Sequence, residues 1–171
     1  MFSTSPLKLL SDGSSLLADP NEIGFDEHDL DILTGASIYR AADSDGLTAY
    51  VARLEDGSLC LIATSAADGG AMTCGTMDSV AAGRLVLRSQ NQPGDPSLFV
   101  GIAPNDVIDV QVDGTSTFLA NNVFVGSGLP TTDEYSLTGE SGQRVTVDMN
   151  VDGVLNEQPG SHPGDEPLAN D

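Results

Sequence analysis

The chain has 171 residues, enough for one domain with a core, and sets 26 acidic residues against six basic ones for a formal net charge of −20. A surface this negative repels phosphate backbones and anionic headgroups, which argues against nucleic-acid and membrane binding and favours cationic partners or metal ions. With 39% hydrophobic residues the chain is neither membrane-embedded nor globally disordered, and no apolar run nears the roughly 20 residues that span a bilayer.

In chain order, residues 1–25 are punctuated by Ser, Asp, Pro and Gly with a few leucines to bury, and read as an N-terminal arm or linker. Their start has neither the basic residues nor the apolar segment of a signal peptide. Residues 26–33, DEHDLDIL, followed by Gly35, fit a helix of one or two turns with a glycine stop. His28 lies within it among carboxylates and reads as a solvated surface residue rather than a metal ligand.

From residue 37 the pattern is β. Residues 37–42 and 47–54 flank Asp43, Ser44, Asp45 and Gly46, a hairpin with a longer loop. Residues 47–54 and 58–64 are joined by Glu55, Asp56 and Gly57, and Asp-Gly between apolar runs predicts a type I′ turn. Alternation then places Tyr50, Ala52 and Leu54 on one face, Val51 and Arg53 on the other. On the returning strand Leu59 and Leu61 point opposite to Cys60 and Ile62. Cys74 ends the short run 71–74, which can return as a third strand beside Cys60 and allow a disulfide, stabilising by roughly 3 kcal/mol. Two cysteines in a reducing compartment would instead read as buried thiols.

Residues 77–82 are weakly helical or irregular, 84–88 form a short strand, and 89–96 are a loop by composition. Residues 98–103 are apolar on both faces and predict a buried central strand. After a turn at Pro104 and Asn105, residues 107–112 alternate, with Ile108, Val110 and Val112 inward and Asp109 and Gln111 outward. Asp113-Gly114 predicts a type I′ hairpin into a strand over 115–120, and Asn121 and Asn122 lead into residues 123–125. Residues 134–137 and 144–149 form a last hairpin around 139–142. The expected fold is all-β, a small β-sandwich or open barrel of short antiparallel strands with one short N-terminal helix and flexible tails. Its domain covers residues 26–157, and residues 158–171 have the composition of a disordered acidic tail.

Several of these features taken together, YVARLEDGSLCLIA, a glycine-rich loop to a second cysteine at MTC, then LFVGIAPNDVIDVQVDG and ANNVFV, resemble a group of uncharacterised domains in actinobacterial proteins. The resemblance runs over residues 36–125 and on towards Asp152. Its most specific pieces are Cys60 with Cys74, the segment from Gly101 to Pro104, and Asn122 to Phe124. Such domains are exported or anchored behind one transmembrane helix, and this chain departs from them in carrying no leader helix. The resemblance implies a small disulfide-bonded β domain facing outside the cytoplasm and brings no known activity.

One motif carries a mechanism. Asp148, Asn150, Asp152 and Gly153 match the opening of a calcium loop, in which oxygens at alternate positions converge on a hard cation, and Asn156 stands at the ninth position. The closing acid is missing, since the twelfth position is Pro159 and Glu157 falls two residues early. The competing reading is a strand that ends in a turn at Asp152-Gly153. The turn at Asp43, Asp45 and Gly46 is a weaker candidate of the same kind.

Catalytic constellations are sparse. A bridged cysteine pair leaves no thiol nucleophile, and His28 and His162, the two histidines, lie in the acidic segment and the tail. No zinc-type cluster, P-loop, dinucleotide fingerprint or nucleophile elbow is present. A two-carboxylate hydrolase is a matter of three dimensions. Arg40, Arg53, Arg84, Arg88 and Arg144 fall on predicted strands, where they balance charge beside cross-strand acids or gather as a patch for an anionic ligand. The expected function is a non-enzymatic extracytoplasmic surface or interaction domain with a protein partner and no required cofactor. A structural subunit of a secreted or viral assembly and a calcium-stabilised binding domain are the alternatives.

Overall fold

The computed structural model describes residues 7–12, 17, 18, 31–44, 46–65, 69–89, 98–126 and 134–148. Helix α1 (Lys8–Asp12) precedes strands β1 (Ser37–Ser44), β2 (Leu47–Arg53), β3 (Leu59–Ser65) and β4 (Gly69–Gly75). Helix α2 (Met77–Ala81) leads to β5 (Val86–Ser89), β6 (Leu98–Ile102), β7 (Val107–Val112) and β8 (Thr115–Ser116). Then follow β9 (Phe118–Ala120), β10 (Val123–Gly126), β11 (Glu134–Gly139) and β12 (Arg144–Asp148).

The strands form three antiparallel four-stranded sheets. The first is the meander β1-β2-β3-β4, the middle one runs β5-β6-β10-β9, and the third β12-β11-β7-β8. Side-chain alternation turns these sheets into a stack. Inward residues of the first sheet, Ala49, Val51, Leu59 and Leu61, pack with Leu87, Val100, Ile102 and Val123 from one face of the middle sheet. The other face of the middle sheet, Val86, Phe99 and Phe124, packs with Val110, Val112, Tyr135, Leu137 and Val147 of the third. The middle sheet is therefore apolar on both faces, and β6 is its buried interior strand, as the run at residues 98–103 predicts. The first two sheets also approach at their edges, β4 to β5 and β1 to β9 and β10, without ladder pairing, so the all-β architecture is a sandwich and open barrel with a third sheet on its back.

Local chemistry explains each corner, and in four places differs from the expectation. The Glu55-Asp56-Gly57 connection has one residue too many for a two-residue type I′ turn. Instead the Gly57 N–H donates to Leu54 C=O at 3.0 Å, Leu54 N–H donates to Ser58 C=O at 2.9 Å, and only Gly57 takes a positive φ, 88°. The β11–β12 hairpin repeats this design, with Gly142 N–H to Gly139 C=O, Gly139 N–H to Gln143 C=O and Gly142 at φ 84°. The β1–β2 connection is shorter than expected, because Ser44 pairs directly with Leu47.

Ile108 is 59% exposed rather than inward, because the register between β7 and β11 slips there and leaves it as the extra residue of a bulge. The strand expected over 115–120 is split. β8 pairs with β7 in the third sheet and β9 with β10 in the middle one, with the chain crossing at Thr117, whose N–H donates to Val110 C=O. Asp113 and Gly114 take φ of 51° and 78°, as a type I′ turn requires. Asn121 and Asn122, at 49° and 66°, make a second such turn between β9 and β10.

The expected helix at 26–33 is described only from residue 31; Asp31 and Ile32 are helical and the turn that follows ends at Gly35 with φ 77°. The tail 158–171 lies outside the described residues. Leu7 and Leu9 of the first segment are fully buried in the core between the first and middle sheets.

Candidate functional site

The cysteines lie where the hairpin register brings them. Cys60 on β3 and Cys74 on β4 are direct partners, Cα atoms 4.0 Å apart, and are disulfide-bonded. They end a lateral row, Ile38, Ala52, Cys60 and Cys74, that crosses the outer face of the first sheet. Around that row the face is apolar and covered, with Leu33 in one buried cluster with Ile38, Tyr50, Ala52, Cys60 and Ile62, while Arg40, the partner of Tyr50, stays exposed.

The other pieces singled out in the sequence meet around the middle sheet. Gly101 on β6 is the partner of Phe124 on β10, and a Cβ at Gly101 would run into the Phe124 ring, so the glycine is required by the aromatic side chain laid across it. Phe124 in turn packs with Phe99 and Tyr135 at ring-centroid distances of 5.4–5.5 Å. Burial pushes the Tyr135 phenol far above its ordinary value, with the Arg84 charge opposing weakly. Asn122 ties three segments together. Its Nδ2 donates to Ala103 C=O and Asn105 Oδ1, while its Oδ1 accepts the Leu9 N–H at 3.0 Å; Asn105 Oδ1 accepts the Lys8 N–H at 2.9 Å. Asn121 Nδ2 donates to Ala41 C=O, at the bulge of β1. The asparagines thus supply the acceptors that the first amides of α1 lack. Their role is architectural; in the sequence Asn105 reads as part of a turn, and Asn121 and Asn122 as the approach to a strand.

Of the expected calcium ligands, Asp148 alone lies among the described residues. Asp148 ends β12 and faces Glu134 of β11 across the ladder; Asn150, Asp152 and Asn156 lie outside the described residues. Among the described residues no group of three or more His, Cys, Asp or Glu side chains gathers in metal-binding range. At the other turn, Asp43 is engaged: Arg40 donates to both its oxygens and Thr48 Oγ1 to one, and these hydrogen bonds hold its carboxyl below the usual range. Asp45 lies outside the described residues. Asp56 is likewise held down by the hydroxyl and amide of Ser58. Both shifts favour the ionised form, the opposite of what a proton donor at neutral pH needs.

The remaining candidate surface is the outward face of the third sheet. Pairing places Thr146, Ser136, Gln111 and Ser116 in one lateral row across its four strands, with Arg144, Thr138 and Asp109 in the next. The row is wired by hydrogen bonds. Arg144 Nη2 reaches across β11 to donate to Ser136 Oγ and Gln111 Oε1, each at 3.1 Å, and Gln111 Nε2 donates to Asp109 Oδ2 at 2.9 Å. The guanidinium lies over Ser136, leaving that residue 7% exposed on an otherwise open face. In sequence these residues are visible only as the polar half of an alternation, and their mutual contacts depend on which strands become neighbours.

Compared with known proteins, the chain matches no family model, no curated protein and no solved structure. Among the described residues no helix is long and apolar enough to cross a membrane.

Proposed function

We propose that this chain is a non-enzymatic extracytoplasmic domain that acts at a surface as an interaction module, with a protein as its partner and the outward face of its third sheet as the contact surface. The observation that carries the reading is the Cys60–Cys74 disulfide, because such bonds persist in oxidising compartments and are kept reduced in most cytosols. The likeness of residues 36–125 to exported actinobacterial domains points the same way. A net charge of −20 suits a soluble surface protein and repels nucleic acid. Among the described residues, the two carboxylates with shifted proton affinity, Asp43 and Asp56, are both held ionised, which favours binding over acid catalysis.

Thiol alkylation of the protein under denaturing conditions, taken directly from the cells that make it, tests the compartment. An unalkylated pair that reacts only after reduction is expected; two alkylated cysteines in the freshly lysed sample would move the protein indoors and overturn the reading.

A further inference from the structure

We propose that the outward face of the third sheet holds an anion site centred on Arg144 that takes a carboxylate group. The inference rests on the reading of this face as the contact surface and names the chemistry that the face recognises. Its basis is a contrast among Arg40, Arg53 and Arg144. Arg40 is neutralised by Asp43, with Nη2 3.0 Å from Oδ1. Arg144 is exposed, in a chain with 26 acidic residues, yet its hydrogen-bond partners are the neutral Gln111 and Ser136. Both bonds leave from Nη2, so the Nε and Nη1 donors are uncommitted among the described residues while the group is fixed in place.

The neighbours supply donors as well. Thr138 is the direct cross-strand partner of Arg144 and Thr146 shares its face two residues on, so two threonine hydroxyls belong to the same patch. The acid of this row, Asp109, is turned to Gln111. An immobilised guanidinium on a face that also carries Thr138 and Thr146 suits an oxyanion, and a planar guanidinium favours a carboxylate. Because Gln111 and Ser136 hold the side chain before any ligand arrives, the ordering cost that weakens binding by a loose surface arginine is already met.

Arg53 is the internal control. It is exposed at the end of β2 and its side chain makes no hydrogen bond or ion pair among the described residues. The test follows the arginine side-chain N–H resonances of the full chain while sodium acetate, and separately sodium sulfate, is added at constant physiological ionic strength. Saturable movement of the Arg144 Nε–H signal with acetate is expected, with only a linear drift at Arg53. Arg144→Gln should abolish it, and Gln111→Ala should weaken it about fivefold, the worth of one positioning hydrogen bond. Equal, unsaturable drift at Arg144 and Arg53 would overturn the site. Saturation with sulfate alone would overturn the carboxylate assignment. Neither result bears on the alkylation experiment, so the site and the compartment fail separately.

Discussion

The two outer layers of the stack are built on the same hairpin chemistry and end in opposite surfaces. The outward face of the first sheet carries Ile38, Tyr50, Ala52, Cys60 and Ile62, all buried beneath Leu33 and its neighbours. The outward face of the third sheet carries Arg144, Ser136, Gln111 and Asp109, linked by hydrogen bonds, with Thr146 and Thr138 beside them, and all but Ser136 reach solvent. Both sheets bury their inner faces against the middle one. The difference is that one outer face adds to the core and the other adds nothing to it. Hydrophobic burial and a disulfide stabilise the first, so substitutions there should act on folding. Polar substitutions in the exposed part of the third sheet's row should change stability little.

Matched truncations on the two faces should break this comparison if it is wrong. Ile62 is fully buried, so Ile62→Ala should lower the unfolding free energy by about 2–5 kcal/mol, with the loss of apolar burial and the cavity both contributing. Thr146→Ala on the third sheet should stay within about 0.5 kcal/mol. Urea denaturation of the two variants measures both, and comparable losses would mean that the third sheet's outer face also holds the fold together. Next in size is the paired variant Cys60→Ser with Cys74→Ser. The bridge closes a loop with a sequence separation of 14, for which chain entropy gives about 3 kcal/mol. Because β3 and β4 remain paired at seven positions from Leu59 to Ser65, the variant should still fold, with a lower urea midpoint and an unchanged anion response at Arg144.

The layout of strands was legible because its signals are local. The Asp113-Gly114 turn, the apolar run at residues 98–103 and the opposite placement of Leu59 and Leu61 against Cys60 and Ile62 all follow from turn chemistry and the two-residue period. The cysteine pairing followed from the same register. What stayed hidden depends on non-local pairing. Ile108 has the spacing of an inward residue, and only the slip against Thr138 and Gly139 turns it out. Thr117 looks like mid-strand until β8 and β9 choose different sheets. The Asn122 cluster joins residues as far as 113 apart in sequence, and the Arg144 row spans 33. Nothing in a linear pattern brings such residues together, so the candidate site was readable as a set of polar positions and not as a site.

The smallest expected effect sharpens the comparison at the level of single arginines. Arg40 in the first sheet meets a carboxylate and Arg144 in the third meets neutral groups. Asp43 has its proton affinity lowered, chiefly by the hydrogen bond from Arg40 and then by that from Thr48. A carboxyl whose folded-state value lies below its unfolded one stabilises the protein above the ordinary value of 3.8, and that contribution fades as pH falls through the lowered value. The pair is more than half exposed on both sides, so solvent screening limits the effect to a few tenths of a kcal/mol, about that of a surface ion pair. Asp43→Asn should therefore melt slightly lower than the parent near neutral pH, and the gap should close as the solution is acidified below the ordinary carboxylate range. Raising salt should narrow it too. Arg144→Gln should show no such acid-dependent gap, because its partners Gln111 and Ser136 do not titrate. If instead the Arg144→Gln gap also closes in acid, a carboxylate is compensating Arg144, and the contrast between the two arginines that motivates the anion site is lost.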